Sequence, residues 1–566
     1  MRHRTCLTIL LLLSVGARAA YADDVVAREM EKDVVLRALV DELERNQAGL
    51  RLEDLGTPYF IEYGLVDAAW AGVSANLGAV TNRNQNRDRS LKTDVRVGSY
   101  ELDNSNFQGG GGFGGFFGSG GVSGADMPIE DDYDAIRQAI WWTSDRDYKG
   151  VVEELAQKKA FMESKLITDK PDDFSREAPT VHFEDRIAPA FDLDWLQDLA
   201  VGLSAAFREY PDIQSSGVSV NAYGGNKYLV NTEDTRMRTA GARFAMSVSA
   251  TVQAEDGMKL ADSFTVHARK VEEIPGRDTL LQRCRHMAER LIAVQTAPKL
   301  DSYTGPVLFE AEAATAIFAR QFGGALAGGQ RPVGSRTSPD DFANKLNKRI
   351  LPRFLNVVDD PTREAIDGVP VMGRYEYDDQ GVPAQAVALV EAGRLKALLM
   401  SRNPSKEFTQ SNGHGRGIYG VPRAAVGCLV VSAEQALNAD GLRQELLDAC
   451  ADEGLEFGIR VAALGSAGDG GREFGGGRGG LSPLVMYKVY PDGREEIVRG
   501  AEIARIDFKA FKRMLAVGDT PYVMNTGGGE GQTIVAPAML FEELDLAKID
   551  RDFDKPPILP APLARQ

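Results

Sequence analysis

The chain has 566 residues with a formal net charge of −17, and 43% of its residues are hydrophobic and 26% charged. These proportions are typical of globular proteins and exclude wholesale disorder, a collagen-like repeat and a polytopic membrane protein. An acidic surface repels phosphate, so we expect no direct binding to nucleic acid. A chain of this length can form about three or four domains of roughly 150 residues each.

Residues 1–22 are interpreted as a secretory signal peptide. A basic start, Met1 to Arg4, precedes an apolar run from Cys6 to Ala17 that is too short to span a bilayer. Two small-x-small cleavage sites follow, at 17–19 and at 20–22. We therefore expect export to the periplasm or the exterior after cleavage, without a stable membrane anchor.

Residues 23–190 are predicted to form an N-terminal α/β domain. Glycine-rich residues 109–124 are interpreted as a flexible surface insertion, although their three phenylalanines leave a docking loop open as an alternative. Hydrophobic periodicity predicts the other elements of the domain. These are a helix at 26–46, strands at 59–63 and 93–97, and helices at 134–142 and 150–165.

Residues 191–302 are predicted to form a central domain that contains an antiparallel sheet with helices. In its clearest segment, 244–252, apolar residues alternate with small and polar ones. This alternation is typical of a strand with one buried face. A helix at 277–297 ends the domain, and turn residues at 303–306 mark its boundary.

Residues 303–566 are predicted to form a β-rich C-terminal domain of short strands and turns. An apolar, β-branched stretch at 424–432 predicts one of these strands. Glycine clusters at 465–480 and 527–531 fit either backbone close to a ligand or ordinary turns. The complete pattern predicts an α+β fold.

Three cysteines remain after the signal segment, namely Cys284, Cys428 and Cys450. They allow at most one internal disulfide, and their spacing does not say which pair would form it. Cys284 and Cys450 each continue an apolar helical stripe. We interpret both as buried hydrophobic residues rather than as ligands or nucleophiles.

The sequence contains none of the common catalytic motifs. The four histidines after the signal segment are isolated, so no two of them can share one helical face as metal ligands. No serine elbow or phosphate loop occurs, and no G-x-G-x-x-G dinucleotide fingerprint follows a clear strand. Glu310 and Glu312 open a strand-to-helix turn, but two residues apart on a helix they diverge by about 200°. They fit the positive end of the helix dipole better than a shared ion.

Four stretches of the C-terminal region together resemble the TldD/PmbA family, a group of peptidase-related proteins also called modulators of DNA gyrase. Shorter pieces at 230–234 and 256–257 are similar to the family's central part. The four stretches are YTGPVLFE at 303–310, VVDDP at 357–361 together with YEYDDQGVPAQ at 375–385, SNGHGR at 411–416, and GEGQ at 529–532.

The resemblance implies a peptidase-like protein whose own zinc site is not retained. In the active branch of the family, two histidines of an H-E-x-x-x-H helix and one cysteine of a late glycine-rich loop hold zinc. The corresponding positions here are Glu310, Thr315 and Gly527, so the resemblance implies no bound metal cofactor. The pattern is similar to the PmbA branch, also called TldE, which is regarded as the metal-free companion of a zinc-bearing TldD-type subunit.

The resemblance also implies a groove for an extended peptide, which strand edges and glycine-rich backbone can hold by main-chain hydrogen bonds. Asn412, His414 and Arg416 are predicted to contact the peptide or a partner, with turn and capping roles as the alternative. The leading hypothesis is an exported subunit that supports proteolysis by pairing with a zinc-bearing relative, or a homodimer.

Two alternative functions stay open at this point, and the sequence leaves uncertain whether the chain is itself an enzyme. The first is a non-catalytic peptide-binding or assembly protein of the cell envelope. The second is an active hydrolase that uses carboxylates such as Glu310 and Glu312 with a metal recruited from elsewhere.

Overall fold

The structure is a computed structural model. It describes residues 22–52, 56–108, 122–335, 342–417, 420–465, 482–503, 506–527, 531–550, 552–557, 559 and 561–565. The signal segment up to residue 21, residues 109–121 of the glycine-rich insertion, residues 466–480 of the first late glycine cluster and residues 528–530 of the second lie outside these residues. Among the helices in the described ranges, none is long and apolar enough to cross a membrane.

The N-terminal half of the described chain forms one seven-stranded, largely antiparallel sheet with helices packed on it. Its helices are α1 (22–32), α2 (Val34–Gly49), α3 (Tyr133–Lys165), α4 (Leu193–Ser204) and α5 (Arg277–Gln295). Its strands are β1 (Pro58–Asn76), β2 (Ala79–Val97), β3 (Val122–Asp126), β4 (Val181–Phe183), β5 (Ser215–Asn231), β6 (Arg236–Gln253) and β7 (Lys259–Ala268). The strand order is β3-β2-β1-β5-β6-β4, and β7 also pairs with β6.

The sheet joins the regions 23–190 and 191–302. Strand β1 pairs with β5 from Glu62 opposite Asn231 to Ala75 opposite Val218. The boundary expected at residue 190 therefore falls inside one sheet, because its central pairing crosses that boundary. The boundary expected at 302 coincides with the passage to a second sheet, which begins at Tyr303.

Two helix predictions in this half differ from the structure. The helices expected at 134–142 and 150–165 are one continuous helix, α3, because Tyr148, Val151 and Leu155 are buried around Gly150. Their burial offsets the cost of about 1 kcal/mol that glycine adds to a helix. The helix expected at 26–46 is divided at Asp33, whose carboxylate accepts hydrogen bonds from the backbone at the start of α2.

The alternation predicted at 244–252 is present in β6. Met246, Val248 and Ala250 are buried, whereas Ser247 and Ser249 are exposed. The buried residues belong to one core cluster with Cys284 and other apolar residues of α5. The period of two therefore identified the face of the sheet that the helix covers.

The C-terminal half of the described chain forms an eleven-stranded mixed sheet and two short ribbons. Its helices are α6 (Ala311–Phe322), α7 (Ala439–Asp452) and α8 (Phe508–Lys512). The sheet strands are β8 (Tyr303–Phe309), β9 (Leu355–Asp359), β12 (Val387–Glu391), β13 (Arg394–Leu395), β16 (Cys428–Ala433), β17 (Gly458–Leu464), β18 (Pro483–Val489), β19 (Glu495–Val498), β20 (Ala501–Ile503), β21 (Met514–Thr526) and β22 (Gln532–Lys548). The ribbons are β10 (Ala365–Ile366) with β11 (Val369–Pro370), and β14 (Gly415–Arg416) with β15 (Arg423–Ala424).

Aromatic side chains form the centre of this second core. Phe318 stacks on Phe322 with ring centroids 4.4 Å apart, and Phe511 meets Phe322 edge-on at 5.1 Å. Each of these buried rings contributes up to about 3 kcal/mol. The α+β fold and the β-rich C-terminal region predicted from sequence are confirmed.

Cys284, Cys428 and Cys450 are buried free thiols in the structure. Burial raises the pKa of Cys284 to about 11 and that of Cys428 to about 12. The structure therefore forms no disulfide among these three residues, and thiols with such pKa values are poor nucleophiles at neutral pH.

Candidate functional site

A cleft of about 220 Å³ lies between the face of the first sheet and loops of the C-terminal half. Its floor comes from β5 and β6, where the strand register sets Lys227 opposite Thr239 and Tyr223 opposite Arg243. Between these two pairs, Gly225 lies opposite Gly241. The floor is therefore bare backbone at its centre, with polar side chains on either side.

The two floor glycines have different surroundings. A Cβ atom at Gly241 would meet no described atom within 4 Å, so this position opens into the cleft. A Cβ atom at Gly225 would lie 2.1 Å from the carbonyl oxygen of Asp67 in β1. Glycine at 225 thus permits close strand pairing, whereas glycine at 241 leaves room above the floor.

The wall opposite the floor is the loop at 374–379, which a tight turn holds in place. The carboxylate of Asp378 accepts hydrogen bonds from the backbone N–H groups of Gln380, Val382 and Gly415, all within 2.9 Å. Gly381 has a φ of +77° at this turn, which a glycine adopts without strain. Burial raises the pKa of Asp378 to about 7.

Asp379 and Arg416 form an ion pair beside this turn. Their side chains approach to 3.5 Å, and the Arg416 guanidinium lies 4.1 Å above the ring of Tyr375. Asp379 also accepts a hydrogen bond of 2.8 Å from the Gly417 N–H. Burial alone would raise the pKa of Asp379, but the charges of Arg416 and Lys227 hold it below the ordinary value.

Asn412 and His414 hold the loop that carries Arg416. The amide of Asn412 accepts from the Met400 N–H at 2.7 Å and donates to the Leu398 carbonyl at 2.9 Å. The His414 ring is fully buried, with Nε2 3.1 Å from a carboxylate oxygen of Asp359. Of the three residues predicted to contact a peptide or partner, Arg416 alone lines the cleft. The contact itself stays a prediction.

Gly531, a described residue of the stretch at 529–532, lies beside this cleft. A Cβ atom at Gly531 would lie 3.0 Å from the Arg243 guanidinium and 2.7 Å from the Met372 carbonyl oxygen. Described parts of three of the four family-like stretches, namely 375–385, 411–416 and Gly531, therefore lie at or beside one cleft. The fourth begins with β8, which pairs with β22 inside the second sheet.

No pattern in the sequence identified Tyr223, Lys227 and Arg243 as residues of the cleft floor. Their only signal was a glycine pair at 224–225 inside a stretch that otherwise alternates. Glycine within a strand often marks a close approach of backbone or a ligand. The sequence alone, however, does not say which loop lies above it.

Glu310 and Thr315 lie at the start of α6 and contact protein groups. The Glu310 side chain pairs with Arg460, which also binds Glu495 at 2.5 Å. Glu310 occupies the N-cap position, yet its carboxylate makes no cap hydrogen bond. Glu310 at the N-cap and Glu312 in the first turn nevertheless both lie at the positive end of the helix dipole, the position expected for them.

Thr315 is fully buried. Its hydroxyl oxygen lies 2.7 Å from the Ala311 carbonyl oxygen and 3.0 Å from the Ala536 carbonyl oxygen, and it can donate its hydrogen to either. The hydroxyl of Tyr522 in β21 donates to Glu312 at 3.4 Å. Burial, together with Glu312, raises the pKa of Tyr522 to about 12. The start of α6 is thus hydrogen-bonded to β21 and β22.

Gly527 follows the last residue of β21 and lies beside His267 of β7. A Cβ atom there would come within 2.4 Å of the His267 ring, so a side chain at 527 would require that ring to move. In the described part of the chain, no three His, Cys, Asp or Glu side chains are grouped to hold a metal ion.

Comparison with protein families identifies one matching model. Residues 302–459 match the PmbA/TldA metallopeptidase C-terminal domain. A metalloprotease of Archaeoglobus fulgidus is 33% identical over 72 residues, 13% of this chain and 16% of that protein. The metalloprotease PmbA of Escherichia coli O157:H7 is 26% identical over 228 residues, 40% of this chain and 47% of that protein. The chain thus spans less than half the length of these relatives.

The fold is also similar to a solved structure. The crystal structure of TldE from Thermococcus kodakarensis superposes with a TM-score of 0.60 at 14% sequence identity. The match covers 90% of this chain and all of that one. The similarity extends through the N-terminal half, beyond the segment that the family model matches.

Proposed function

Because the chain belongs to the TldD/PmbA family, we propose that it is a metallopeptidase-like subunit without zinc of its own that supports proteolysis by a zinc-bearing relative. The observation that carries this proposal is the state of the three positions implied as zinc ligands. The Glu310 carboxylate is paired with Arg460, the Thr315 hydroxyl is buried against backbone carbonyls, and Gly527 has no side chain. These residues do not fit a zinc ion.

Zinc hydrolysis depends on an ion that polarises the substrate carbonyl and lowers the pKa of its bound water to about 7. The start of α6 supplies no such ion-binding group, so the role left to this chain is to bind and present substrate. The cleft above β5 and β6 supports that role, because its bare glycine floor leaves space for an extended peptide.

Metal analysis tests the zinc-free state. The purified chain, dialysed against buffer without chelator, is expected to retain less than about 0.1 equivalent of zinc by mass spectrometry of the metal. A stoichiometric ion that resists dialysis would contradict the proposal and favour the hydrolase alternative. Glu310→Ala and Glu312→Ala variants then show whether that ion depends on these carboxylates.

Co-purification tests the pairing. The natively expressed, affinity-tagged chain is cross-linked lightly in cells and recovered, and its partners are identified by mass spectrometry. We expect a relative that carries the H-E-x-x-x-H helix. Recovery of a second copy of this chain alone would favour the homodimer, and absence of any relative would remove the pairing hypothesis.

Export is the second component of the proposal, and the sequence pattern of residues 1–22 supports it. The N-terminus of the protein recovered from its native host is expected to be Asp23. An intact Met1 in all of the recovered protein would contradict cleavage. A chain in which Ala20 and Ala22 are both replaced by bulky residues is the control, since it should keep its leader.

A stand-alone peptide-binding protein of the envelope is the second candidate function. The cleft favours it, because peptide binding there needs no metal and no partner. Full-strength peptide binding by the isolated chain, combined with failure to recover a zinc-bearing relative, would select this candidate.

A further inference from the structure

We infer that the cleft binds the free carboxyl terminus of an extended peptide, which names the substrate class and rests on the proposed function. Four features of the cleft carry the inference: its charge, the position of Arg416, an exposed aromatic pair at its mouth, and its size. Each involves described residues of the cleft or of the strand beside it.

The cleft is locally cationic in a strongly acidic protein. Asp378 is one of its acids, and its carboxylate accepts hydrogen bonds from three backbone N–H groups. These donors partly compensate its negative charge. The lining contains five basic and four acidic side chains, so it carries one more positive than negative charge in a chain with net charge −17, and this local excess attracts an anionic group. The charged lining residues are Lys227, Arg243, Arg269, Arg374 and Arg416 against Glu184, Glu376, Asp378 and Asp379.

Arg416 is held in a geometry suited to a carboxylate. Its guanidinium is stacked on Tyr375 and paired with Asp379, so its plane is set before a ligand arrives. A guanidinium of fixed plane recognises carboxylate oxygens through parallel N–H donors. Lys227, whose charge also acts on Asp379, supplies a second cation across the cleft.

An aromatic pair stands at the mouth. Trp70 of β1 lies directly opposite Tyr223 of β5, and both side chains are 36% exposed. Residues directly opposite in neighbouring strands project from the same face of a sheet. Arg243 follows Tyr223 in the same row. This row offers apolar surface to the side chains that precede a bound carboxyl terminus.

The volume limits what enters. The cleft, at about 220 Å³, is smaller than the roughly 300–1,000 Å³ of typical ligand pockets, which suits the end of a chain rather than a folded domain. A carboxylate can come from a chain terminus or from an acidic side chain. The narrow space favours the terminus, since an internal acidic residue would bring two peptide arms.

The test measures the affinity of the isolated full-length chain for matched fluorescent octapeptides that end in Phe. Fluorescence anisotropy reports the binding. One has a free carboxyl terminus, one is amidated, and one is amidated with a single internal Asp. We expect the free terminus to bind at least tenfold tighter than either amidated form, with affinity falling as salt rises. Equal affinity of free and plain amidated peptides overturns the inference. Equal affinity of the free terminus and the internal Asp peptide overturns the choice of terminus.

Variants locate the binding. Lys227→Met and Gly241→Leu are expected to weaken the free-terminus peptide about tenfold, and Trp70→Ala about threefold, while the exposed control Arg494→Gln changes nothing. Gly241 faces open space, so its variant should unfold at the wild-type denaturant concentration, which circular dichroism checks. Undiminished binding by a folded Gly241→Leu protein overturns the site. The assay needs no partner subunit, so its failure is separate from failure of the co-purification.

Discussion

Glu154 shows how burial, the largest of several causes, raises the pKa of one side chain. It lies on α3, and no described residue hydrogen-bonds its buried Oε2 atom. Burial raises its pKa to about 7, and the charges of Asp147 and Glu153 add to the shift. A carboxyl group with a folded pKa above its unfolded value loses its stabilising contribution as the pH rises from about 4.5 through 7.

We therefore predict that Glu154→Gln stabilises the protein at pH 8 and has little effect at pH 4.5. The gain should be about 1 kcal/mol, which already allows for the partial exposure of the group to solvent. Urea unfolding at both pH values measures it. Glu163→Gln, an exposed change on the same helix, is the control. A gain of equal size at both pH values would show that the charge of Glu154 is not its cause.

The three buried cysteines give a second prediction at this scale. Ellman's reagent should react with none of Cys284, Cys428 and Cys450 within minutes in the native protein, because their thiols are buried and the pKa values of all three are raised. All three should react after denaturation without reductant. Fewer than three reactive thiols in the unfolded chain would reveal a disulfide that the structure does not contain.

At the scale of elements, the cleft depends on how closely β1, β5 and β6 pair. Gly225 faces the backbone of β1, whereas its cross-strand neighbour Gly241 faces open space. The same residue type therefore serves two purposes in one row of the sheet. Close strand contact requires the first glycine, and the cleft requires the second.

Alanine substitution separates these purposes. Gly225→Ala should destabilise the protein by about 2 kcal/mol, because its methyl group would overlap the Asp67 carbonyl. Gly241→Ala should stay within about 0.5 kcal/mol of wild type. The free energy of unfolding in urea decides between them. Equal effects of the two changes would mean that the close approach of β1 and β5 can relax without cost.

At the scale of the whole molecule, Arg402 joins the two halves of the chain. It is buried in the C-terminal half, yet its guanidinium donates to Glu233 at 2.6 and 2.9 Å and to the Ser175 carbonyl, both in the N-terminal half. The ring of Phe174 lies 3.9 Å from it. The two sheets are thus connected by a charged side chain that has little contact with water.

Arg402→Met should lower the free energy of unfolding by about 3 kcal/mol, because the half-buried Glu233 loses both guanidinium hydrogen bonds and keeps the Tyr100 hydroxyl as a donor. Lys406→Met removes a pair with Asp169 that also connects the halves but is exposed, so its effect should be below about 1 kcal/mol. Urea unfolding of both variants makes the comparison. A loss under 1 kcal/mol for Arg402→Met would show that water reaches Glu233 readily.

Local patterns predicted the elements that depend on near neighbours. The alternation at 244–252, the helix at 277–297 and the α+β character follow from periodicity, which records the face that each element buries. Periodicity did not predict the length of β1 and β2, which extend over 58–97. Ten consecutive residues of β2, from 79 to 88, are exposed, so they show no contrast between buried and exposed positions.

The family-like stretches were visible in the sequence by itself, and so was the absence of histidine and cysteine from the positions implied for zinc. Only the tertiary structure brought 375–385, 411–416 and Gly531 to one cleft, and only it set Lys227 and Tyr223 opposite Arg416. It also showed that His414 supports the loop from inside. The physical reason is that each residue type fixes its own side-chain chemistry, which the sequence shows directly. A cleft instead depends on contacts between segments about 150 to 300 residues apart, and no local pattern encodes such contacts.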